Sequence, residues 1–363
     1  MTRKLAFLLH GRVGQWLAMP LAFVFLTGAL AVYGRELEAL AFPAAACAGT
    51  QRGHLDVAWS VLAERALAAV DDSDARVLSL SAPEEDGAAA WALVQVAPRQ
   101  YRYVFLDPRD GHARGVARFA TPRRFLRDVH RSWMLGENVG LTIVTSLSLL
   151  LLVSLVTGLR VWARRHPPER WRRTHRLAGI ALVPFLLVVI VTTVWYWGEN
   201  LAGFFDVRPS GEIPSIGHDD VARVRRHEET MPVDVLVSHA RSAYPELEVR
   251  FVSFPSVRRP VFSVSGHAGE GPLVRELANQ VYLHPFNGDV LEVERATDLG
   301  AIAWWEHAVD AIHFGTWGDA WGLGALSRVL WLLGGLGSAL LTITGFVVRR
   351  RRLDLRAPAP RRP

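Results

Sequence analysis

The sequence predicts an α-helical membrane protein with four transmembrane helices and two small α+β extracytoplasmic domains. Four apolar stretches carry no formal charge, and they cover residues 13–33, 138–159, 177–198 and 329–348. At about 1.5 Å per residue, each stretch makes about 30 Å of helix, enough to cross the hydrocarbon core of a bilayer. The hydrophobic content of 50% and the mean hydropathy of +0.16 lie between those of a soluble protein and of an all-membrane bundle. Soluble domains are therefore expected beside the helices.

Charge, cysteine content and motifs exclude several classes of protein. The arginines cluster beside the apolar stretches, which is typical of membrane proteins rather than of nucleic-acid binding. Cys47 is the only cysteine, so disulfides, thiolate metal sites, iron–sulfur clusters and covalent haem attachment are excluded within one chain. The sequence has no Walker motif, no GxGxxG after a strand, no HExxH and no GxSxG. Nothing therefore indicates binding of ATP, nicotinamide or flavin, or hydrolysis.

The arginines also predict the topology. The N-terminus, the 160–176 loop and the 349–363 tail are short and basic, which places them in the cytoplasm. The two long polar stretches then lie outside, in the periplasm if the organism is a Gram-negative bacterium, in which case the protein belongs to the bacterial inner membrane with both termini cytoplasmic. The predicted segments are transmembrane helix 1 (1–36), a first periplasmic domain (37–125), helix 2 (126–162), a cytoplasmic loop (163–174), helix 3 (175–198), a second periplasmic domain (199–305), a periplasmic helix end with helix 4 (306–350) and a disordered cytoplasmic tail (351–363).

The first apolar stretch has an alternative interpretation as a signal peptide. It follows a short basic start, and Ala29-Leu30-Ala31 resembles a cleavage site. Its length favours a spanning helix, and its His-x-x-x-Gly start, His10 and Gly14, recurs at His175 and Gly179 in the third stretch.

Each long polar stretch is predicted to form one helix packed on a small antiparallel sheet. In the first stretch the helix covers 55–70 and the strands cover 75–81, 91–97 and 101–106. In the second stretch the helix covers 234–244 and the strands cover 249–254, 261–264 and 280–283. YVFLDPRDGHARGV and VYLHPFNGDVLEV share an aromatic strand, a proline, a glycine and a second short strand, which indicates an internal repeat.

Four histidines lie at the ends of the apolar stretches. His10 and His175 are at the cytoplasmic ends of the first and third, and His130 and His313 precede the second and fourth at the outer face. A bis-imidazole haem needs one nitrogen from each side of its plane, and neutral imidazole is a good iron ligand. Each histidine alone could simply sit at the membrane interface, but four in a symmetric pattern favour ligation.

We therefore predict an inner site from His10 with His175 and an outer site from His130 with His313. Each site would hold one haem b, and the two haems would form an electron path across the bilayer. Four nearby glycines are expected to leave room for the flat macrocycle: Gly14, Gly179, Gly136 and Gly315. Three Thr-Gly pairs are interpreted as helix-packing positions rather than sites: Thr27-Gly28, Thr157-Gly158 and Thr344-Gly345.

Weaker candidates lie beside the outer site. Glu306, Asp310 and His313 share a helix face that could bind a metal, although a solvated face is favoured. His307 precedes His313 by six residues on a different face, and it is kept as a substitute ligand only.

The assembled pattern resembles the PepSY-associated transmembrane family, the PiuB-like iron-regulated membrane proteins. The motifs are HGRVG with LTGAL, FLRDVHRSWMLGENVG with VTGLRVWARR, THRLAGIALVPFLL, and AIHFGTWG with TITGFVVRRRR, one set for each spanning segment. The two polar stretches look like PepSY domains, with DPRDG and HPFNG as their turns. The third segment departs from the pattern, because it has Thr192-Thr193 where the family suggests Thr-Gly.

Family members resembling this chain include inner-membrane ferric-siderophore reductases that carry two haems. The resemblance implies haem ligation at His10, His130, His175 and His313. It also implies an oxidoreductase that passes electrons from the cytoplasmic side or the quinol pool to ferric chelates in the periplasm during iron uptake. No catalytic side chain is assigned. Expected partners are membrane lipid, a ferric siderophore and quinol or a separate electron donor, and nucleic acid is not expected.

A second class of function stays open. A non-catalytic PepSY accessory or sensor protein would bind a peptide or protein partner, and its histidines would be structural. Haem content separates the two classes. A transporter of iron itself is disfavoured, because the uncharged centres of the spans offer no polar path for a cation.

Overall fold

The structure is a computed structural model, and it describes residues 1–162, 169–205, 213–271, 273–275 and 277–354. Parts of the predicted cytoplasmic loop (163–168) and of the predicted disordered tail (355–363) lie outside the described residues. The chain divides into two compact units. The helical unit comprises Met1–Gly34, Phe125–Arg208 and Val309–Pro363, and the sheet unit comprises Arg35–Arg124 and Pro209–Ala308.

Four helices among the described residues are long and apolar enough to cross a membrane, as the sequence predicts. They are α1 (Arg3–Ala31), α5 (Glu137–Trp162), α7 (Val183–Gly203) and α11 (Gly324–Asp354). Large apolar side chains point outward from them, for example Trp16 at 83% and Leu333 at 59% exposure. Such exposure is expected of surfaces that meet lipid tails, which are as apolar as leucine.

A shorter helix precedes each of the last three spans: α4 (Pro122–Ser132), α6 (Arg170–Ala181) and α10 (Ala301–Phe314). The predicted third helix, 175–198, is therefore not continuous. It is interrupted at Leu182, where α6 ends and α7 begins. Pro184 lies in the first turn of α7, where its missing N–H costs no hydrogen bond, whereas inside a longer helix it would break one.

The helical unit has a core shared by its four spans. Its buried members are Leu17, Leu21 and Phe25 of α1, Leu151 and Leu155 of α5, Leu186 and Ile190 of α7, and Ala339 of α11. Small residues allow the closest approach, since a Cβ on Gly335 would lie 2.8 Å from that of Ala29. This glycine therefore lets α11 pack directly against α1.

The sheet unit contains one eight-stranded antiparallel sheet in the described residues, with strand order β4-β3-β2-β1-β5-β6-β7-β8. Its strands are β1 (Arg76–Ser81), β2 (Ala90–Ala97), β3 (Gln100–Leu106), β4 (Ala113–Arg118), β5 (Glu248–Ser253), β6 (Phe262–His267), β7 (Asn279–Leu283) and β8 (Val290–Glu294). Its helices are α2 (Gly34–Ala41), α3 (Trp59–Val70), α8 (His218–Arg225) and α9 (Val233–Ala243). Each polar stretch thus supplies four strands and a packed helix, α3 or α9.

The two halves of the sheet are joined edge to edge. β1 pairs with β5, and Leu80 lies opposite Val252 in this register. The buried residues of both halves form a single core, which includes Leu62 and Leu236 from the two packed helices. The two polar stretches therefore fold as one unit, a feature that the sequence did not predict.

The internal repeat is visible in the turns that follow β3 and β7. The Gly111 N–H donates to Asp107 O at 2.9 Å, and the Gly288 N–H donates to His284 O at 2.9 Å. Both glycines have positive φ, +73° and +75°, which a residue with a Cβ rarely adopts. DPRDG and HPFNG therefore form equivalent turns in the two halves.

Candidate functional site: two histidine pairs

The inner pair consists of His10 on α1 and His175 on α6. Their ring centres lie 6.1 Å apart, and the ring planes are inclined by 52°. The two residues are 165 positions apart in the chain, and both are half-buried. The helical unit thus brings together the two histidines that the sequence assigns to the cytoplasmic face.

The outer pair consists of His130 on α4 and His313 on α10. Their ring centres lie 6.3 Å apart, with the planes inclined by 37°. The phenol ring of Tyr196 packs edge-on against His313, with centres 5.2 Å apart, and its hydroxyl donates to Asp310 at 2.6 Å. The Trp331 indole N–H donates to the backbone carbonyl of His313 at 2.8 Å. These aromatic neighbours fix the end of α10 that carries His313.

The separation within each pair fits two ligands on opposite sides of one metal ion. A first-row metal lies about 2 Å from an imidazole nitrogen, and that nitrogen lies about 1 Å from its ring centre, so two such ligands have ring centres about 6 Å apart. The observed distances of 6.1 and 6.3 Å match this value. Two imidazole rings in direct contact, without an ion between them, would have no reason to adopt this same separation in both pairs.

Hydrogen bonds hold the Nδ1 atom of each ring. Three of the rings lie against backbone carbonyls: His10 Nδ1 is 2.9 Å from Ser154 O, His130 Nδ1 is 3.0 Å from Val24 O, and His175 Nδ1 is 3.1 Å from Leu341 O. A carbonyl oxygen only accepts, so Nδ1 carries the proton in these three rings and Nε2 keeps its lone pair. This is the protonation state that a metal-binding histidine needs, and the carbonyl also fixes the orientation of the ring.

Three of the histidines rest on a Thr-Gly pair of a neighbouring helix. The threonine lies three residues after the residue whose backbone carbonyl accepts from the histidine. We call these three residues, namely the one with the accepting carbonyl, the threonine and the glycine, a histidine seat. The seats are Ser154, Thr157 and Gly158 for His10; Val24, Thr27 and Gly28 for His130; and Leu341, Thr344 and Gly345 for His175. All three threonines are buried.

The glycine of each seat is needed for the ring to approach the helix. A Cβ on Gly28, Gly158 or Gly345 would lie 2.7, 3.0 or 2.9 Å from Cε1 of the histidine. Sequence analysis interpreted the Thr-Gly pairs as packing positions and missed this contact. The sequence did contain a signal for this contact, because a Thr-Gly pair recurs towards the C-terminal end of three of the four spans.

The four glycines that were predicted to leave room for a macrocycle are not the seat glycines. A Cβ on Gly14 or Gly136 would meet no heavy atom of the described residues within 4 Å, and one on Gly179 would first meet Leu341 at 3.7 Å. Gly315 differs, since its φ of +72° turns the chain after α10 and a Cβ there would lie 2.7 Å from Trp331. Open space therefore lies beside two of the four glycines, Gly14 and Gly136.

The two pairs lie near opposite ends of α1. His10 belongs to the inner pair, and Thr27 of the same helix contacts His130 of the outer pair. Seventeen residues of helix separate them, about 25 Å along the axis. This is most of the thickness of a hydrocarbon core of about 30 Å.

The weaker candidates gain no support as a metal site. No group of three or more His, Cys, Asp or Glu side chains in the described part of the chain is placed to hold a metal ion. The helix face of Glu306, Asp310 and His313 is therefore not placed to hold a metal ion by itself. His307 remains a substitute only, and its Nδ1 is buried without a hydrogen-bond partner among the described residues.

Fold and site together define a class: a helical membrane protein in which one spanning helix and three shorter helices bring two pairs of histidines together. A family model for the PepSY-associated TM region matches residues 7–352 of the chain. The chain therefore belongs to the PepSY-associated transmembrane family, which confirms the family and the fold class that its sequence predicts. No curated protein matches the chain.

Proposed function

We propose that this protein is a di-haem membrane protein that passes electrons across the bacterial inner membrane to reduce ferric siderophores in the periplasm. The observation that carries the proposal is the geometry of the two pairs: facing imidazoles about 6 Å apart, three of them with Nδ1 bonded to a backbone carbonyl. Two imidazoles leave most positions of an iron ion unfilled. A porphyrin would supply four further ligands, so that two histidines from the chain would be sufficient.

Each residue has a specific role in this proposal. His10 and His175 would hold the inner haem, and His130 and His313 would hold the outer one, through their Nε2 atoms. A haem bound in this way supplies a one-electron carrier. The three seats hold the Nδ1 atoms of His10, His130 and His175, which leaves their Nε2 atoms free to bind iron, and the hydrogen bond from Nδ1 raises the basicity of Nε2.

The position of the pairs supports transfer across the membrane. They lie about 25 Å apart along α1, and the side chains between them, such as Leu17 and Leu21, are buried and apolar. In the predicted topology the inner pair faces the cytoplasm and the outer pair faces the periplasm. The sheet unit would then dock the ferric chelate or a partner protein.

The proposed reaction is a one-electron reduction of the chelated metal. Fe(III) gains one electron and becomes Fe(II), and a quinol that gives up two electrons and two protons serves two ferric ions. A separate one-electron donor is the other source. The hard oxygen donors of a siderophore hold Fe(III) far better than Fe(II), so reduction loosens the metal for release.

The test is a single-turnover reaction of the purified protein. The protein is reduced, freed of reductant and mixed with a ferric hydroxamate or a ferric catecholate siderophore, while absorbance reports its oxidation and an Fe(II) chelator reports the product. We expect oxidation by the ferric chelates and none by the matched gallium(III) chelates, which cannot be reduced. Replacing His130 by Ala should abolish Fe(II) formation. Replacing His175 by Ala should leave the outer haem, so that about one Fe(II) forms per chain.

Two results would contradict the proposal. A haem-containing protein that stays reduced in the presence of both ferric chelates is a cytochrome with another acceptor. A protein that contains no haem belongs to the other class, the accessory or sensor proteins, in which the histidines are structural.

A further inference from the structure

His313 is held differently from the other three histidines. Its Nδ1 lies 2.9 Å from the hydroxyl oxygen of Thr192, whereas the other three rings lie 3.4–3.5 Å from their threonines and donate to a carbonyl. The residue after Thr192 is Thr193, at the position where each seat has glycine. The difference in sequence therefore coincides with a difference in hydrogen bonding.

Thr193 occupies the place that the histidine takes in the three seats. The carbonyl three residues before Thr192 is that of Val189, and the Thr193 hydroxyl donates to it at 2.7 Å. The Thr192 hydroxyl lies 2.9 Å from Val188 O and 3.0 Å from the same Val189 O, and its single proton is shared between these two carbonyls. In each seat the threonine hydroxyl lies 2.9–3.1 Å from the same carbonyl that accepts from the histidine, so at Val189 the Thr193 hydroxyl is the second side-chain donor in place of a histidine. Thr193 also carries the Cβ that the glycine of each seat lacks.

We propose that Thr193 is a positioning residue that raises the reduction potential of the outer site. This inference rests on the proposed function. A hydrogen bond from Nδ1–H to a strong acceptor makes Nε2 more basic, which favours the oxidised iron and lowers the potential. The aligned peptide dipoles of a helix make its carbonyl a stronger acceptor than an alcohol oxygen. His313, which meets only a hydroxyl, is therefore a weaker donor than it would be in a Thr-Gly seat.

This effect has the direction that the proposed function requires. The inner pair has two rings on carbonyls, and the outer pair has one ring on a carbonyl and one on a hydroxyl. A higher potential at the outer pair favours movement of electrons from the cytoplasmic to the periplasmic side.

The test compares Thr193→Gly with Thr193→Ser in a redox titration followed by absorbance. The glycine variant frees the Val189 carbonyl and the space beside it, so that His313 can form the seat found at the other three positions. The serine variant keeps the hydroxyl on that carbonyl and serves as the matched control. Both are made in a background that carries His10→Ala, or His175→Ala if the first does not fold, so that only the outer pair remains.

We expect the glycine variant to have a lower midpoint potential than the serine variant. The expected difference corresponds to about a tenfold change in the equilibrium constant for reduction, which is about 59 mV for one electron. Thr192→Val is the second variant, and it removes the hydroxyl that accepts from His313. We expect its midpoint to rise above that of the parent protein.

The outcomes separate this inference from the proposed function. Absence of haem from the parent protein overturns both. A haem-containing parent in which the glycine and serine variants share one midpoint overturns the inference alone. If the glycine variant binds no haem, an unchanged or lower midpoint in Thr192→Val overturns the inference, and a higher one supports it.

Discussion

Replacing Gly28 with alanine perturbs the outer pair through a single added carbon atom. The new Cβ would lie 2.7 Å from Cε1 and 3.1 Å from Nδ1 of His130, whereas ordinary contacts begin at 3.4 Å. The ring must therefore withdraw by about 0.7 Å, and its bond to Val24 O would lengthen from 3.0 Å beyond hydrogen-bonding distance. The ring would also shift relative to that of His313, whose centre lies 6.3 Å away.

The magnitude follows from loss of the hydrogen bond behind a metal ligand. Such a loss typically lowers metal affinity by about 10–100-fold. We expect Gly28→Ala to weaken haem binding at the outer pair by this factor and to leave the inner pair unchanged. The assay is titration of the haem-free protein with haem, followed by absorbance, which resolves one tight and one weakened site.

Gly198→Ala is the matched control. Gly198 also lies in a spanning helix, and a Cβ there would meet no heavy atom of the described residues within 4 Å. This variant should bind both haems as the wild type does. Wild-type haem affinity at both sites of Gly28→Ala would refute the reasoning that the seat glycine makes room for the histidine.

Two further predictions concern the sheet unit. Leu80 is fully buried in β1, so Leu80→Ala should lower the free energy of unfolding by about 2–5 kcal/mol in a urea titration read by proteolysis. Val116→Ala, at 45% exposure on β4, should change it by less than about 1 kcal/mol, and an equal effect would contradict the assigned core. The hydrogen bonds from Arg109, one of them 2.7 Å long, hold the pKa of the Asp107 carboxyl well below its ordinary value. Because the folded-state pKa is depressed, the resulting stability is present above the ordinary pKa of about 4 and is lost as the pH falls below it. The unfolding temperature of wild type should therefore fall more steeply below about pH 4 than that of Arg109→Gln, and parallel curves would contradict this pairing.

The spans and strands were predictable because their signals are local. A bilayer requires about twenty residues without charge, and each such stretch is visible by itself in the sequence. The interruption at Leu182 also has a local cause, Pro184, but the long apolar run on both sides of it favoured one continuous helix. The pairing of β1 with β5 has no local signal, since it joins Leu80 to Val252 across 172 residues.

The site was predictable in part for the same reason. The symmetric placement of His10, His130, His175 and His313 indicated pairs, because the topology assigns two histidines to each membrane face. The partners behind the rings could not be assigned, since each seat belongs to a different helix from its histidine. Thr193 was noted as a departure from the family pattern, but its hydroxyl bond to Val189 requires the structure.

The most direct test of the central claim is the haem content of the purified protein after expression with ample haem. We expect a b-type absorption spectrum and two haems per chain. Alanine at His10 or His175 should remove one haem, alanine at His130 or His313 should remove the other, and His10→Ala combined with His130→Ala should leave none. A colourless wild-type protein, or single variants that keep both haems, would contradict the assignment of the two pairs as haem ligands.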